Sequence, residues 1–253
     1  MSSTPKTTLW IWPTGLFPRR LIYYFRLKHI TLSTLTSHSI HLIPVALTVS
    51  PPSLSSLPGH ESRPPNTSLP IMRITHPSGR EVWIRESLSI LEYFESLFLP
   101  LSGFPNLLDA NLEQRAQTGD ILSLLNDAMH WSLISLINSD PQTMFWSGLK
   151  EEDMSKSTAE HAEGKWQFYL ERLEQWVQDD GGAVVKRETL AGLVLLAQVE
   201  YHQMMYGADW IEGHGVLREW VERMKKEEWY VASQVLKGVE KGEGWETLLG
   251  GRG

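Results

Sequence analysis

The spacing of apolar and polar positions divides the first hundred residues into strands and helices. Thr7–Trp12 and Ile40–Val49 are runs of strand-forming residues, and they flank a helical apolar pattern over Arg19–His29. A strand, a crossover helix and a strand predict a parallel pair. Pro18 falls in the first turn of the helix, where proline is tolerated. Pro44 lies inside the second strand, which predicts an edge position for that strand.

A proline-rich segment follows and leads into a hairpin and a helix. Ser50–Ser68 contains five prolines among serines, which predicts a long irregular loop. Leu69–Ile74 and Glu81–Arg85 predict a β-hairpin, and the apolar stripe after it predicts a helix that begins at Glu86-Ser87 and ends at Pro100. The element order β-α-β-β-β-α is that of a thioredoxin-like layer.

Beyond residue 100 the pattern is helical. The predicted helices are Leu112–Ile137, Ser155–Val177, Thr189–Tyr206, Val216–Met224 and Tyr230–Leu236. Thr189–Tyr206 is apolar nearly all round, which is typical of a central buried helix. We therefore predict an α+β thioredoxin-like domain over residues 1–100, a linker over 101–107 and an all-α helical-bundle domain over 108–253.

Composition and charge support this division. Of the 14 prolines, 13 lie at or before Pro105, and residues 1–100 carry 9 Lys and Arg against 5 Asp and Glu. Residues 101–253 carry 14 against 25, so the whole chain has a net charge of −7. That balance argues against a nucleic-acid binder, and no apolar run reaches the ~18 residues of a membrane helix. No signal-peptide pattern opens the chain, so the expected location is the cytoplasm.

The chain has no cysteine among its 253 residues. Disulfides, thiolate metal sites and a cysteine nucleophile are therefore excluded. No phosphate-binding loop, dinucleotide fingerprint or metal-binding motif is present either, so no metal site is predicted. The candidate chemistry must come from hydroxyl, carboxylate and guanidinium groups.

Glu86 and Ser87 form one such candidate. A helix N-terminus carries unpaired N–H groups and a partial positive charge, so it favours a carboxylate. Ser87 adds a hydroxyl there, and Glu86 can pair with an ammonium group beside that carboxylate. The pair suits an amino-acid head group; the alternative is that Ser87 only caps the helix.

Three stretches resemble the cytosolic glutathione S-transferases. Leu69-Pro70 is similar to the Val-Pro step of that family, whose proline is cis, and residues 84–94 (IRESLSILEYF) are similar to the pattern Ile-x-Glu-Ser-x-x-Ile-x-x-Tyr-Leu. Residues 217–224 (LREWVERM) resemble the late helix that carries a Trp and an Arg-Met pair. The start, with Trp12-Pro13 ahead of Arg19-Arg20, resembles fungal members, some of which serve secondary metabolism.

The resemblance implies a glutathione site. Its γ-glutamyl head group would lie at Glu86-Ser87, and its cysteinyl backbone would pair with the N–H and C=O of Leu69, which a cis Pro70 turns outward. The alternative for Pro70 is a trans proline that opens an edge strand. Asn66 or Arg63, in the loop that closes over the peptide, would reach the glycyl carboxylate.

The thiol-activating residue is where the chain departs from the family. Most members place Ser, Tyr or Cys after the first strand, where it donates a hydrogen bond to the glutathione sulfur. Here Thr14 is the sole hydroxyl of that turn, and Phe17 stands where Omega-like members have cysteine. Thr14 is the predicted activating residue; its alternative is a turn-forming threonine without a chemical role.

Arg19 and Arg20 are the second candidates for thiol activation. Cations at a helix start oppose the helix dipole, and a local rule broken without evident gain can mark a functional site. A guanidinium near the sulfur would lower the pKa of the thiol. The alternative is a pair of solvated arginines that bind acids of the helical half.

The resemblance also predicts an apolar co-substrate pocket and an assembly. The candidate pocket residues are Phe17, Met129, His130, Trp131, Tyr201 and Met205, with core aromatics of a helical bundle as the alternative. The expected activity is conjugation of glutathione to an apolar electrophile by a homodimer. The alternatives are a glutathione-dependent cis–trans isomerase and a non-catalytic carrier or interaction protein with the same fold.

Overall fold

A computed structural model of the chain describes residues 4–49, 52–98, 106–107, 111–179 and 188–250. The strands are β1 Lys6–Ile11, β2 Ile40–Val49, β3 Pro52–Ser56, β4 Ile71–Thr75 and β5 Glu81–Ile84. The helices are α1 Leu16–Leu27, α2 Leu32–Ser37, α3 Ser87–Phe98, α4 Leu112–Ser139, α5 Met144–Ser147, α6 Lys156–Asp179, α7 Leu190–Tyr206, α8 Gly215–Met224, α9 Ser233–Glu240 and α10 Trp245–Leu249. The predicted helix end at Pro100 and most of the predicted linker lie outside the described residues.

The five strands form one mixed sheet in the order β3-β2-β1-β4-β5. β1 and β2 run parallel, from Thr7 opposite Ile40 to Ile11 opposite Pro44. β4 pairs with β1 and with β5 in the antiparallel sense. The predicted parallel pair and the predicted hairpin are both confirmed.

Two predictions about the proline-rich region are wrong. β2 is not an edge strand, because Pro52–Ser56, predicted as loop, forms β3 and pairs antiparallel with its outer side. Pro44 is tolerated at this internal position because pairing with β1 ends at Pro44 and pairing with β3 begins at Val45. Its missing N–H therefore falls where the strand changes partners.

The chain forms two compact units. The first comprises Met1–Asn106, Glu200–Ala208 and Lys225–Gly253, and the second comprises Leu107–Val199 and Asp209–Met224. The predicted division into domains 1–100 and 108–253 stays a prediction.

In the first unit, helix α1 is buried on nearly every side. Tyr23, Tyr24 and Phe25 have no exposed surface, and Phe25 packs edge-on against Phe94 of α3 with ring centroids 5.2 Å apart. Lys28 Nζ lies 2.8 Å from Glu95 Oε2, and both side chains are fully buried. α1 is thus tied to α3 by aromatic packing and by one buried ion pair.

One helix of the same unit begins later than its apolar pattern predicts. The predicted helix is Tyr230–Leu236, and the observed α9 is Ser233–Glu240. Trp229 and Tyr230 instead pack on Tyr23, with ring centroids 6.1 Å and 6.3 Å away. Tertiary packing of these rings therefore takes precedence over the helical pattern.

The second unit is helical. α4 and α6 pack along each other, and the N-terminal part of α7 is buried throughout, as predicted for the central helix. Thr189 Oγ1 accepts from Gly192 N–H at 3.2 Å and so caps α7. Gly192 lets α8 approach closely, since a Cβ there would lie 3.1 Å from Met224 Sδ. Within the described part of the chain, no helix is both long and apolar enough to span a bilayer.

Candidate functional site

The turn between β1 and α1 is shaped by a close contact at Gly15. Gly15 N–H donates to Trp12 O at 3.0 Å, and a Cβ at Gly15 would lie only 2.5 Å from Trp12 Cε3. A side chain larger than hydrogen would therefore displace the indole ring. This turn directs Thr14 inward, where only 3% of its surface is exposed.

The Thr14 hydroxyl faces a carboxylate that sequence reasoning did not identify. Thr14 Oγ1 donates to Glu240 Oε2 at 2.5 Å. Glu240 Oε1 accepts from Trp12 Nε1 at 2.9 Å and from Leu47 N–H at 2.8 Å. In this arrangement the proton of Thr14 points at Glu240, and the oxygen lone pairs are left for another donor.

Arg19 lies directly behind this turn and has no exposed surface. Its guanidinium donates to Ser233 Oγ at 2.9 Å, to Thr14 O at 3.3 Å and to Met204 Sδ at 3.2 Å. Among the described residues it forms no ion pair. The interpretation of Arg19 as a solvated arginine paired to an acid is therefore wrong.

The nearest acid of this cluster is Glu200, one hydroxyl away from Arg19. Ser233 Oγ donates to Glu200 Oε2 at 3.2 Å, and Tyr230 Oη donates to the same oxygen at 3.1 Å. Lys225 Nζ lies 3.1 Å from Glu200 Oε1. Burial raises the pKa of the neighbouring Tyr23 hydroxyl, and the charge of Arg19 opposes that rise.

The structure brings Arg20 to the predicted head-group site. Arg20 is 2% exposed, and its NH1 group donates to Ser87 Oγ at 3.2 Å. Burial lowers the pKa of Arg20 to about 10, and the charge of Glu86 opposes that shift. Ser87, the first residue of α3, thus accepts from Arg20 and keeps its own proton for an acceptor. A cation, a hydroxyl and a helix N-terminus converge here.

The loop before β4 is held by its own side chains. The Leu69–Pro70 bond is cis, as the resemblance predicted, and Leu69 is 7% exposed. Arg63 NH1 donates to Thr67 O at 2.5 Å, and burial lowers the pKa of Arg63. Asn66 is exposed and has a left-handed φ of 54°. Arg63 therefore shapes the loop on which Asn66 is presented.

The predicted pocket residues fall in both compact units. In the first, Phe17 lies beneath Arg20, whose Cζ is 5.0 Å from the ring centroid. Tyr201 is buried and contacts Tyr206 edge-on, and Met205 is half-buried.

The remaining predicted pocket residues belong to the second unit. Met129 is buried, His130 is exposed, and Trp131 lies half-buried beside His161. A pocket that combines the two sets stays a prediction. In the described ranges, no group of three His, Asp or Glu side chains could hold a metal ion.

Comparison with solved structures shows that the fold of this chain is similar to known folds, although the sequence identities are low. No protein-family model and no curated protein sequence matches this chain. A glutathione S-transferase of Methylobacillus flagellatus, solved with glutathione bound, matches with a TM-score of 0.62 at 14% identity, over 91% of this chain and 98% of that one. A glutathione transferase family member of Pseudomonas fluorescens, solved with S-(propanoic acid)-glutathione, matches with a TM-score of 0.61 at 14% identity, over 88% and 96%.

A third structure with this likeness is the maleylacetoacetate isomerase of Anaeromyxobacter dehalogenans, solved with glutathione bound. It matches with a TM-score of 0.54 at 18% identity, over 93% of this chain and 96% of that one. The chain therefore has the glutathione transferase fold, a thioredoxin-like layer followed by a helical remainder, and the predicted fold class is confirmed.

Proposed function

We propose that this chain is a glutathione transferase that conjugates the thiolate of glutathione to an apolar electrophile. The observation that carries the proposal is the contact of Arg20 with Ser87 at the N-terminus of α3, 3.2 Å between NH1 and Oγ. Glutathione in the solved structures of the same fold supports it. Glutathione would supply the reactive sulfur, and the chain would bind it, orient it and stabilise its charge.

Each end of the tripeptide has matching groups on the chain. The α-carboxylate of the γ-glutamyl end would accept from Ser87 Oγ and lie beside the Arg20 guanidinium, while exposed Glu86 would pair with the ammonium. Leu69 would pair with the cysteinyl backbone. Asn66 or Arg63 would reach the glycyl carboxylate, with Asn66 the better placed because Arg63 already binds Thr67 O.

In this proposal Thr14 activates the thiol with the help of Arg19, because Arg20 lies at the head-group site. Arg19 is a buried cation whose guanidinium contacts the Thr14 carbonyl. A cation in such a position lowers the pKa of a nearby thiol. For Thr14 to donate to a thiolate, its hydroxyl would turn away from Glu240.

The remaining parts of the proposal rest on the resemblance. The co-substrate pocket would be lined by Phe17, Met129, His130, Trp131, Tyr201 and Met205. The protein would be a cytoplasmic homodimer of fungal type that serves secondary metabolism.

A second candidate is favoured by one comparison. The maleylacetoacetate isomerase has the same fold and was solved with glutathione bound. In a glutathione-dependent isomerase the thiolate adds to a conjugated double bond, and it leaves again after rotation. Mass analysis of the products separates the two candidates, because transfer leaves a conjugate and isomerisation leaves none.

The head-group site is tested by calorimetric titration with glutathione. Ser87→Ala removes a hydrogen bond to a charged group, worth roughly 1.5–3 kcal/mol, so the affinity should fall about 10- to 100-fold. The control is Ser89→Ala, which changes an exposed serine two residues further along the same helix. This variant should leave the affinity for glutathione unchanged.

Equal affinity of wild type and Ser87→Ala would contradict the head-group assignment. Absence of any glutathione binding to the folded wild-type protein would favour the non-catalytic carrier.

A further inference from the structure

The carboxylate of Glu240 is bound by three donors that come from different parts of the first unit. Trp12 Nε1 and Leu47 N–H bind Oε1, and Thr14 Oγ1 binds Oε2. Two of the donors belong to the turn after β1 and the third to the end of β2. We call Trp12 Nε1, Thr14 Oγ1 and Leu47 N–H the three-donor site.

The three-donor site lies where ligands bind in sheets of this kind. β1 and β2 are parallel, and their pairing ends at Ile11 and Pro44, so the turn and Leu47 both lie beyond the paired stretch. Ligands of open sheets bind outside the carboxyl ends of parallel strands. Leu47 lies opposite Leu54 of β3, and its N–H donates to Glu240.

The residue that fills the three-donor site is unfavourably placed in its own helix. Glu240 is the last residue of α9, and a carboxylate at a helix C-terminus opposes the helix dipole by about 0.3–1 kcal/mol. A local rule broken in this way can mark a functional position. The three hydrogen bonds offset the cost while Glu240 is bound.

We propose that the three-donor site is a carboxylate-binding site, that Glu240 occupies it from within the chain, and that the carboxylate of a small-molecule ligand replaces Glu240 there. The ligand gains the same three hydrogen bonds that Glu240 gives up. The proposal does not depend on the proposed function, because it concerns any ligand with a carboxylate.

The exchange requires a side-chain rotation and leaves α9 in place. Leu236 and Val239 anchor the helix with at most 1% exposure, and Ser233 accepts from Arg19 at its other end. Glu240 and Trp12 are both half-buried, so solvent reaches the site. A released Glu240 therefore turns outward while the helix stays packed.

A cavity is lined by residues that are close to Glu240 and Leu47 along the chain. Its volume is about 480 Å³, and Pro44, Leu57, Lys241, Trp245 and Glu246 are among its lining residues. Lys241 directly follows Glu240, and Pro44 precedes Leu47 by three residues on β2. This cavity is large enough for the body of a small ligand.

The test is made on the full chain with Glu240→Ala, which leaves the three donors without their internal partner. Propionate, the free equivalent of the Glu side chain, is titrated while the Trp12 indole N–H and the Leu47 amide are followed by ¹H–¹⁵N NMR, with Trp12→Phe to assign the indole signal. Saturable shifts of both signals are expected for propionate. Neutral propionamide should bind at least about tenfold more weakly, because charged acceptors form the stronger hydrogen bonds.

Two controls define the specificity of the response. Wild type and Glu243→Ala, which removes a nearby exposed carboxylate and leaves Glu240 intact, should respond to propionate at least about tenfold more weakly than Glu240→Ala. Equal responses of all three proteins, or equal responses to propionate and propionamide, would overturn the proposal. If Glu240→Ala does not fold, Glu240→Ser, whose side chain is too short to reach the three donors, takes its place, and absence of propionate-dependent shifts in that variant overturns the proposal as well.

Glutathione and its glycyl ethyl ester identify the source of the carboxylate. If the glycyl carboxylate occupies the three-donor site in place of its assignment to Asn66 or Arg63, glutathione displaces propionate from Glu240→Ala and the ester does not. If a separate carboxylate compound is the ligand, glutathione and its ester affect the propionate affinity equally. The Ser87-dependent affinity for glutathione is measured separately, so failure of either proposal is recognised by itself.

Discussion

At the scale of single residues, the first unit holds two charged side chains in places that disfavour charge. Arg19 and Arg20 are buried at the start of α1, where a cation opposes the helix dipole and loses its hydration. Packing alone does not explain why charged residues stand at these two positions, because an uncharged Met of similar length would fill the same space without the loss of hydration or the unfavourable interaction with the helix dipole. Each guanidinium instead contacts a residue that the glutathione proposal uses: Arg19 contacts Thr14 at its carbonyl, and Arg20 contacts Ser87 at its hydroxyl.

Arg20→Met should separate binding from stability. Because burial lowers the pKa of Arg20 to about 10 in the folded chain, the charged form is less favourable there than in the unfolded chain. The charge therefore reduces stability at neutral pH, and this reduction disappears only as the pH rises above about 10. The free energy of unfolding of Arg20→Met in urea should equal or exceed that of wild type, while its glutathione affinity should fall at least about tenfold.

The matched variant is Arg20→Lys, which keeps the charge and loses the planar fork of donors. A clear loss of stability in Arg20→Met with unchanged glutathione affinity would show that Arg20 is a structural cation.

At the scale of elements, α1 is positioned by contacts that its own sequence does not reveal. The apolar pattern predicts a helix with one buried stripe, yet α1 is covered on nearly every side. Lys28, the residue that follows α1, and Glu95 on α3 neutralise each other within the core. Burial raises the pKa of the nearby Tyr24 hydroxyl, and the charge of Glu95 adds to that rise. Since both helices carry site residues at their N-termini, the ion pair of Lys28 with Glu95 helps to fix the distance between Arg20 and Ser87.

Lys28→Met should destabilise the fold strongly, by about 3–5 kcal/mol, because it leaves the Glu95 carboxylate buried without a counter-charge. The double variant Lys28→Met with Glu95→Leu should recover most of that loss, since an apolar pair replaces the ion pair. Urea unfolding measures the free energy of unfolding of the single variant and of the double variant. Lys156→Ala breaks an exposed pair with Glu160 and should change stability by less than about 0.5 kcal/mol. Additive losses in the double variant would contradict this account.

At the scale of the whole molecule, the thioredoxin-like part is completed by the C-terminal segments. Residues 200–208 and 225–253 belong to the same compact unit as residues 1–106. Arg26 of α1 donates to Trp229 O and to Leu248 O, both at 2.7 Å. Glu200, Ser233 and Glu240 supply further polar contacts around Arg19 and Thr14.

A fragment of residues 1–106 should therefore not fold by itself. Without the C-terminal segments, the outer face of α1 would be exposed. Arg19 would lose Ser233, Tyr23 would lose the rings of Trp229 and Tyr230, and Arg26 would lose Trp229 O and Leu248 O. We expect no cooperative thermal transition by near-UV circular dichroism and poor dispersion of amide signals, with the full chain as the reference. A cooperative transition in the fragment would support the division at residue 100 and contradict the dependence described here.

Local patterns were sufficient for much of the fold and for part of the candidate site. Alternation and proline placement predicted β1, β2 and the hairpin. The cis bond at Leu69-Pro70, which the structure contains, was implied by the resemblance to the Val-Pro step of the glutathione S-transferases. The local patterns failed at β3. The composition of Pro52–Ser56 indicates a loop, but the segment forms a strand because it pairs with β2. They also failed at Tyr230, whose packing on Tyr23 depends on a residue more than 200 positions away.

The sequence by itself determined the order of β1, α1, β2, the hairpin and α3, the absence of cysteine chemistry and the Glu86-Ser87 step, because these depend on residue type and short-range spacing. Only the tertiary structure decided which groups meet: Arg20 with Ser87, Arg19 with Ser233, and Glu240 with Thr14. These contacts join residues 67, 214 and 226 positions apart. Such pairings depend on chain topology and burial. The local periods of 2 residues in strands and 3.6 residues in helices do not reveal them.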